Sequence, residues 1–300
     1  MKAFLENEKG TIIVLVAVIM SVLVGFMALV VDAGSLYLEK NRLQKISDAA
    51  VLAGIQNFPT NYPKTKEEIN KTILLNEGNP EHFTNNTNSG FTFLEVVGKK
   101  KVNLFFAKVV GINDVMIEAK ARLDLFPISA GKGAVPIGLQ PTGNLSFGAL
   151  QTLLVTDSSN GNFGAIALSG PGASNYEMDF TNGYQSELTV GTILNTETGR
   201  MSGPTENAVK ARMGACPGAT YLNFPPDCAR VVLVPIVEPI GADSNIKQVK
   251  VVGFATLFLE GASTYNNNAQ VTGRFIRKVQ PGKTYPGQAN YGTYSFKFTQ

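Results

Sequence analysis

The strongest hydrophobic feature of the chain is an uncharged, almost entirely apolar run from Gly10 to Val31. A membrane helix needs about 20 such residues to cross roughly 30 Å of hydrocarbon. The run reaches that length without a proline, is longer than the apolar core of a cleaved signal peptide, and has no A-x-A-type cleavage site after it. The pattern therefore predicts an uncleaved N-terminal membrane anchor over residues 1–31.

Small residues share one face of this anchor. They are spaced by four, four and three positions, at Ala17, Ser21, Gly25 and Ala28. Such a face lets membrane helices approach closely and associate, although small residues are common in membrane helices in any case. We therefore expect a helix-packing face here, through which the chain could form a homo-oligomer.

Beyond the anchor, the periodicity of an amphipathic helix continues from Asp32 to Phe58, and Pro59 ends it. One apolar stripe, here called the helix seam, recurs at helical spacing. The helix seam consists of Leu36, Leu43, Ile46, Ala50 and Ala53. We predict that it is buried, against either the sheet of its own module or a partner helix.

The residues that follow predict a small α+β module over 32–126, with the long helix lying on a small sheet. The predicted elements are a helix Thr65–Gly78 with Thr65 as N-cap, a strand Phe91–Val97, a short strand around Val102, a short helix around Phe105–Val110 that Gly111 stops, and an alternating strand Val115–Leu125. The segment Pro127–Gly133, with its Gly, Ser and Pro, predicts a linker.

After the predicted linker, short β-type runs alternate with turns rich in Gly, Asn, Ser and Thr. The runs are Leu150–Thr156, Phe163–Leu168, Leu188–Val190, Val231–Val237, Val249–Glu260 and Val271–Lys278. This pattern of short β-type runs separated by turns predicts a mainly antiparallel β domain over 131–300, interrupted by one helix with Thr205 as N-cap. The predicted fold class is α+β.

The composition of the chain excludes several classes of function. A net charge of +3 is too small to indicate nucleic-acid binding. His82 is the only histidine, so a Ser-His-Asp triad would have to use it, and a histidine-rich metal site cannot be built. The only basic run, Lys99-Lys100-Lys101, predicts an exposed hairpin turn; the alternative is a phosphate or lipid site.

The two cysteines of the chain, Cys216 and Cys228, bracket a short proline-containing loop. Such a pair predicts a disulfide and an oxidising compartment, the alternative being two unrelated buried thiols. Because positive charges flank both ends of the anchor, charge alone does not decide its orientation. The cysteine pair favours a cytoplasmic N-terminus and an extracytoplasmic bulk.

Three polar segments are candidate chemical sites. None of them has the pattern of an enzyme active site, a cofactor site or a metal site. The stretch 157–162 fails the EF-hand pattern and predicts a polar hairpin turn. The loop 169–174 lacks the spacing of a phosphate-binding loop. Glu197 and Arg200 predict either an ion pair that pins the loop 196–205 or the lining of a binding groove.

The N-terminal segment also resembles a known family. The residues that carry the resemblance are Gly10-Thr11, the apolar span, Val30-Val31-Asp32-Ala33-Gly34, and Asn41 to Gly54 with the sequence NRLQKISDAAVLAG. They are similar to the TadG-like (TadE/TadG-like) N-terminal domain of Flp (Tad) pilus-assembly proteins. The stretch 105–125 resembles the family's next module, and the region after Gly131 resembles C-terminal domains of Gram-positive members.

The resemblance implies a membrane-anchored envelope protein of the Tad secretion and pilus machinery, without known catalysis and with other Tad components as partners. Related pseudopilins carry a Glu five residues after a cleavage site. Here that position, counted from Gly10, is Leu15, so an uncleaved anchor is favoured.

Two classes of function remain open at this stage. The leading hypothesis is a structural or assembly protein, with a filament subunit as its variant. The alternative is a tethered surface domain that binds or hydrolyses a ligand, with its site in the loops 157–174 and 196–205.

Overall fold

The computed structural model describes residues 8–141, 145, 147–155, 164–241, 246–266 and 268–299. Over these residues the chain is mixed α+β, which confirms the predicted fold class: a long N-terminal helix is followed by a β-rich region. The helices are α1 Glu8–Gly54, α2 Tyr62–Leu75, α3 Ala173–Asn182 and α4 Ser202–Ala215.

The strands form two mainly antiparallel sheets. They are β1 Phe83–Asn86, β2 Phe93–Asn103, β3 Asp114–Gly131, β4 Leu150–Val155, β5 Ile166–Ala167, β6 Leu188–Thr189, β7 Ile193–Thr196, β8 Val231–Ile240, β9 Gln248–Tyr265, β10 Asn268–Ile276, β11 Lys278–Val279, β12 Lys283–Thr284 and β13 Thr293–Thr299.

The first sheet carries the N-terminal helices. Within the described residues its order is β1-β2-β3-β13-β11, and β6 and β12 also pair with β3. The helices α1 and α2 pack on it because each presents an apolar face to the inward side chains of the alternating strands. The shared core includes Val51, Phe58, Ile69, Leu94 and Leu123.

The second sheet is built around the long strand β9. Its order over the described residues is β4-β10-β9-β7-β5, and β8 pairs with β9. The helices α3 and α4 pack beside each other, and α4 also contacts β9 and β10. The core of this part includes Tyr176, Phe180, Val234, Leu257 and Phe275.

The predicted linker at 127–133 is wrong, because residues 127–131 are the last five residues of β3. Ile128 and Ala130 are buried, and β12 and β6 pair with this end of the strand. The Gly, Ser and Pro of the segment are typical of a linker. Its pairing partners, however, lie more than fifty residues later in the sequence and leave no local signal.

The end of the chain returns to the first sheet. The strand β13 pairs antiparallel with β3, with Tyr294 opposite Pro127 and Thr299 opposite Arg122. The hydroxyl groups of Thr256 in β9 and Thr293 in β13 form a buried hydrogen bond of 2.8 Å. The residues predicted as a C-terminal β domain therefore supply a strand to the sheet under α1.

The predicted hairpin turn at Lys99-Lys100-Lys101 is also wrong. These residues lie inside β2, which joins the two strands expected there into one. Each lysine has an acidic partner: Lys99 with Glu118 at 3.0 Å, Lys100 with Glu39 at 2.7 Å and Lys101 with Asp114 at 3.0 Å. These acidic partners lie in β3 and α1, outside the lysine run. The sequence of the run alone therefore predicts a turn.

Helix starts differ from the predictions as well. Asn61 caps α2 by accepting the backbone N–H of Lys64, so Thr65 lies inside the helix. The helix α4 begins at Ser202, so Thr205 is internal, and α3 was not predicted at all. A serine, threonine or asparagine a few residues away can serve equally well as a cap, which makes boundaries hard to place.

Cys216 and Cys228 form the predicted disulfide. The bond follows α4 directly and packs against Phe258 and Ile276. Arg212 and Arg230 hold the surrounding loop by donating to the backbone carbonyls of Ala229 and Ala219, at 2.7 and 2.8 Å. The loop is thus fixed by a covalent bond, by packing and by two arginines.

We expect the double variant Cys216→Ser/Cys228→Ser to lose about 3 kcal/mol of stability, because the bond restricts a short loop in the unfolded chain. Denaturant unfolding of the detergent-solubilised chain measures the difference. Wild-type protein in excess reductant is the control and should behave like the variant. Equal unfolding midpoints for oxidised wild type and variant would contradict this account.

Candidate functional site on the N-terminal helix

The helix α1 is a continuous rod of 47 residues, about 70 Å long. Its first half is long and apolar enough to cross a membrane, with a mean hydropathy of 3.0 in its most apolar window and no part of that window buried. Its second half lies on the first sheet. One helix thus joins an exposed apolar segment to a folded module without a break.

The small residues of the apolar half make no contact with the folded module, apart from partial cover at Ala28. Ala17, Ser21 and Gly25 are exposed, and the Ser21 hydroxyl donates back to the Val18 carbonyl at 2.7 Å. A Cβ at Gly25 would meet no atom of the described residues within 4 Å. This face is therefore open at Ala17, Ser21 and Gly25 and partly covered at Ala28.

Asp32, the first charged residue after the apolar run, is almost fully buried, with 6% of its surface exposed. Its carboxylate accepts the backbone N–H groups of Phe105, Phe106 and Ala107, at 2.7, 3.0 and 2.7 Å. Loss of water raises the pKa of Asp32, but these hydrogen bonds and the charge of Lys108 outweigh it and hold the pKa below its ordinary value.

Through this contact, Asp32 fixes the turn after β2 to the end of the apolar run. Asp32 belongs to the residues that carry the family resemblance, but the sequence pattern predicts no role for it. A carboxylate directly after an apolar span is a usable signal for such a contact. Its partners, however, are backbone groups more than seventy residues away, which no side-chain pattern reveals.

The helix seam packs against the sheet of its own module. Leu43 and Leu36 contact a cluster with Val102, Ile117 and Ala119. Ile46 and Ala50 belong to the core shared with α2. Leu43, Ile46 and Ala50 are buried, whereas Leu36 and Ala53 are half-buried.

Polar residues beside the helix seam also attach α1 to its surroundings. Gln44 donates to the Lys120 carbonyl of β3 at 2.9 Å and to Asp48 at 2.8 Å. Arg42 reaches Glu77, beyond the end of α2, at 3.0 Å. Exposed ion pairs of this kind contribute little, about 0–1 kcal/mol, so apolar burial dominates the attachment.

Ser47 is a buried exception on this face. It has no exposed surface, and its hydroxyl has no hydrogen-bond partner among the described residues. An unsatisfied buried polar group costs about 1–3 kcal/mol. The helix therefore tolerates a destabilising residue in its most closely packed stretch.

A cleft of about 520 Å³ lies where the end of α1 and the start of α2 meet the C-terminal half of the chain. Ala53 and Thr60 line it from one side, and Leu222 and Lys278 from the other. Asn61 donates to the Leu222 carbonyl at 2.8 Å across this boundary. Within the described residues, no group of three or more His, Cys, Asp or Glu is placed to hold a metal.

The described parts of the two loops predicted as the alternative ligand site, residues 164–174 and 196–205, contact each other. Glu197 is buried and accepts the backbone N–H of Gly172, with both oxygens within 3.2 Å. The ion pair with Arg200, one of the two predicted alternatives, is not formed among the described residues. The hydroxyl groups of Tyr176 and Thr205 are 3.0 Å apart, and burial raises the pKa of Tyr176. The stretch 157–162 lies outside the described residues.

Residues 10–57 match the family model described as Flp pilus-assembly TadE/G-like. The chain carries a TadE/G-like segment. This confirms the resemblance stated from the sequence, and the segment coincides with α1 and the turn that follows it. Comparisons with curated proteins and with solved structures give no match for the chain.

The TadE/G-like segment thus contains the exposed apolar half of α1, Asp32 and the complete helix seam. Over the described residues, its N-terminal half is exposed except near its end. Its C-terminal half is the part on which the first sheet is assembled. The segment therefore contains both the exposed apolar half of α1 and the half of α1 that packs on the first sheet.

We expect Ala50→Leu in the TadE/G-like segment to lower stability by about 1–3 kcal/mol, because the added atoms have no space in a closely packed core. Lys45→Ala, on the exposed face of the same helix, is the matched control and should change little. Thermal unfolding of both variants makes the comparison. If both melt like the wild type, the helix seam is not tightly packed.

We expect Ser47→Ala to raise stability by about 1 kcal/mol, because it removes an unsatisfied buried hydroxyl. Ser35→Ala, at a half-buried position of the same helix, controls for the gain in helix propensity, about 0.5 kcal/mol. Denaturant unfolding of both variants gives the difference. A larger gain from Ser35→Ala would contradict the assignment.

Proposed function

We propose that this protein is a membrane-anchored, non-catalytic assembly component of a Tad (Flp) type pilus or secretion system in a bacterial cell envelope. The match of residues 10–57 to the TadE/G-like family supports a role in pilus assembly. The apolar half of α1 would span the membrane once. The rest of the chain would project from it as a rigid module.

The observation that carries the proposal is the coincidence of three features in one helix. The family match, the exposed apolar span and the helix seam all lie within 10–57. Because α1 continues unbroken from the span into the module, the orientation of the module is tied to that of the anchor. This suits a protein that must present a surface at a set position above a membrane.

The proposed orientation places the N-terminus in the cytoplasm and the folded part outside. The disulfide between Cys216 and Cys228 supports this side, because such bonds persist in oxidising compartments. In this arrangement residues 1–31 form the anchor, 32–126 a stalk module and 131–300 an extracytoplasmic β domain. The strand β13 would link the last two by pairing with β3.

The proposed partners are the membrane, other components of the Tad system and further copies of this chain, with no nucleic acid and no cofactor. The open face of Ala17, Ser21, Gly25 and Ala28 would be the contact between copies. Close packing of small faces is a common mode of association between membrane helices. The alternative of a ligand-binding or hydrolytic surface domain is less favoured, since Glu197 of one loop binds the backbone of Gly172 in the described part of the other.

Fractionation of cells with protease shaving tests the proposal. We expect the protein to sediment with membranes, to resist extraction by high salt or alkali, and to lose residues 32–300 to external protease once any outer barrier is opened. A cytoplasmic protein of known location is the control for cell integrity. Recovery in the soluble fraction, or protection from external protease throughout, would contradict the proposal.

The filament variant gives a different result in the same cells. A filament subunit would appear in sheared surface material, where antibody labelling in negative-stain microscopy would mark fibres. An assembly protein would remain with the membrane fraction after shearing. Mass spectrometry of the N-terminus adds a further test, since a mature chain that begins at Thr11 would overturn the uncleaved anchor.

A further inference from the structure

A cluster of large apolar side chains lies exposed beside the end of the membrane span. It belongs to the connection between β2 and β3, residues 105–112, here called the apolar loop. Val109 is 90% exposed and Phe105 is 68% exposed, and Phe106 and Ile112 are also exposed. Isolated exposed apolar residues are ordinary, but four within eight positions of one loop mark an interaction surface.

The apolar loop is held at the membrane boundary by Asp32. Three consecutive N–H groups of the loop bind this carboxylate. Asp32 directly follows Val31, and helical side chains tilt toward the N-terminus of their helix. The loop therefore lies alongside the last turn of the apolar run.

The length of the anchor determines how deep in the bilayer the last turn of the apolar run lies. The 21 residues from Thr11 to Val31 span about 31 Å as a helix, which matches the roughly 30 Å of hydrocarbon in a bilayer. With the span seated in the membrane, Asp32 and the apolar loop lie at the lipid–water interface.

The backbone of the apolar loop suits a site with little water. The N–H groups of Val109, Gly111 and Ile112 donate to carbonyls within the loop, at 3.0 to 3.1 Å. Gly111 permits this closure by adopting a left-handed φ of 88°. Because these donors are already satisfied, moving the loop into an apolar medium leaves few unpaired polar groups.

We infer that the apolar loop inserts into the interface of the lipid bilayer beside α1 and forms a second contact of this protein with the membrane. The inference rests on the proposed membrane anchoring. Val109 and Phe105 would enter the acyl region, and Lys108 would extend its ammonium group to the headgroups. Two contacts at different points would fix the tilt and rotation of the module, which a single helix leaves free.

The test uses the full chain reconstituted in phosphatidylcholine vesicles, with an environment-sensitive fluorophore on Val109→Cys. The two native cysteines are joined in the disulfide, so the new thiol is labelled alone. We expect the emission to shift to the blue and to be quenched by nitroxide-labelled lipids. The control is Ile193→Cys, an exposed apolar position in β7.

The control probe at residue 193 lies far from the membrane, near the opposite end of β3 from the apolar loop. The strand β3 starts next to the apolar loop at Asp114, and near its other end Ala130 pairs with Thr189, close to Ile193. The strand covers about 50 Å between these points. Lipid nitroxides should therefore leave the probe at residue 193 unaffected.

Flotation of the vesicles distinguishes a failure of the proposed membrane anchoring from a failure of the inferred loop insertion. If the protein floats and the probe at 109 is quenched no more than the probe at 193, the loop inference is overturned and the anchor stands. A blue shift without lipid quenching means that protein covers the loop, which also overturns the inference. If the protein does not float, the proposed anchoring fails, and the inference fails with it.

A second variant tests the role of Asp32 as a positioning residue. Asp32→Asn removes the charge and one acceptor while keeping the size of the side chain. We expect weaker lipid quenching at residue 109 and unchanged emission at residue 193, because the loop loses its attachment while the fold remains. Unchanged quenching at residue 109 would overturn the assignment of Asp32.

Discussion

Burial of the small residue Ala50 against the first sheet is the contact on which the remaining architecture depends. Ala50 has no exposed surface in the core that α1 shares with α2 and the strands, and Ile46 and Leu43 are buried one and two turns earlier on the same face of the helix. Apolar burial of this kind is the main favourable term in folding. Because α1 is also the proposed anchor, the same contact sets the position of the sheet relative to the membrane.

The sheet extends this constraint to the rest of the molecule. The strand β3 starts beside the end of the apolar span and runs to the region where β6 and β12 pair with it. The strand β13 then lies along its middle, with Thr293 bonded to Thr256 of the second sheet. The two parts are thus joined by strands that the later half of the chain supplies to the first sheet and by this side-chain hydrogen bond, in place of the linker that local composition suggested.

Charged groups have a smaller and more local role. Lys99, Lys100 and Lys101 each meet a carboxylate from another element, and at their exposure such pairs contribute little stability. Asp32 differs, because its buried carboxylate is bound by three backbone N–H groups and positions a whole loop. A charge can therefore define geometry at a membrane boundary without being a large source of stability.

The sequence by itself determined the features that depend on local pattern. The apolar span, the helix seam and the alternation of β3 could be read directly, because helix and strand periodicities place apolar residues on one face. The cysteine pair was likewise evident from its spacing. Only the tertiary structure decided the partners of Asp32, of the lysine run and of residues 127–131. Those contacts join segments that lie from 13 to more than 150 residues apart. Strand pairing is made by backbone groups that are alike in nearly every residue.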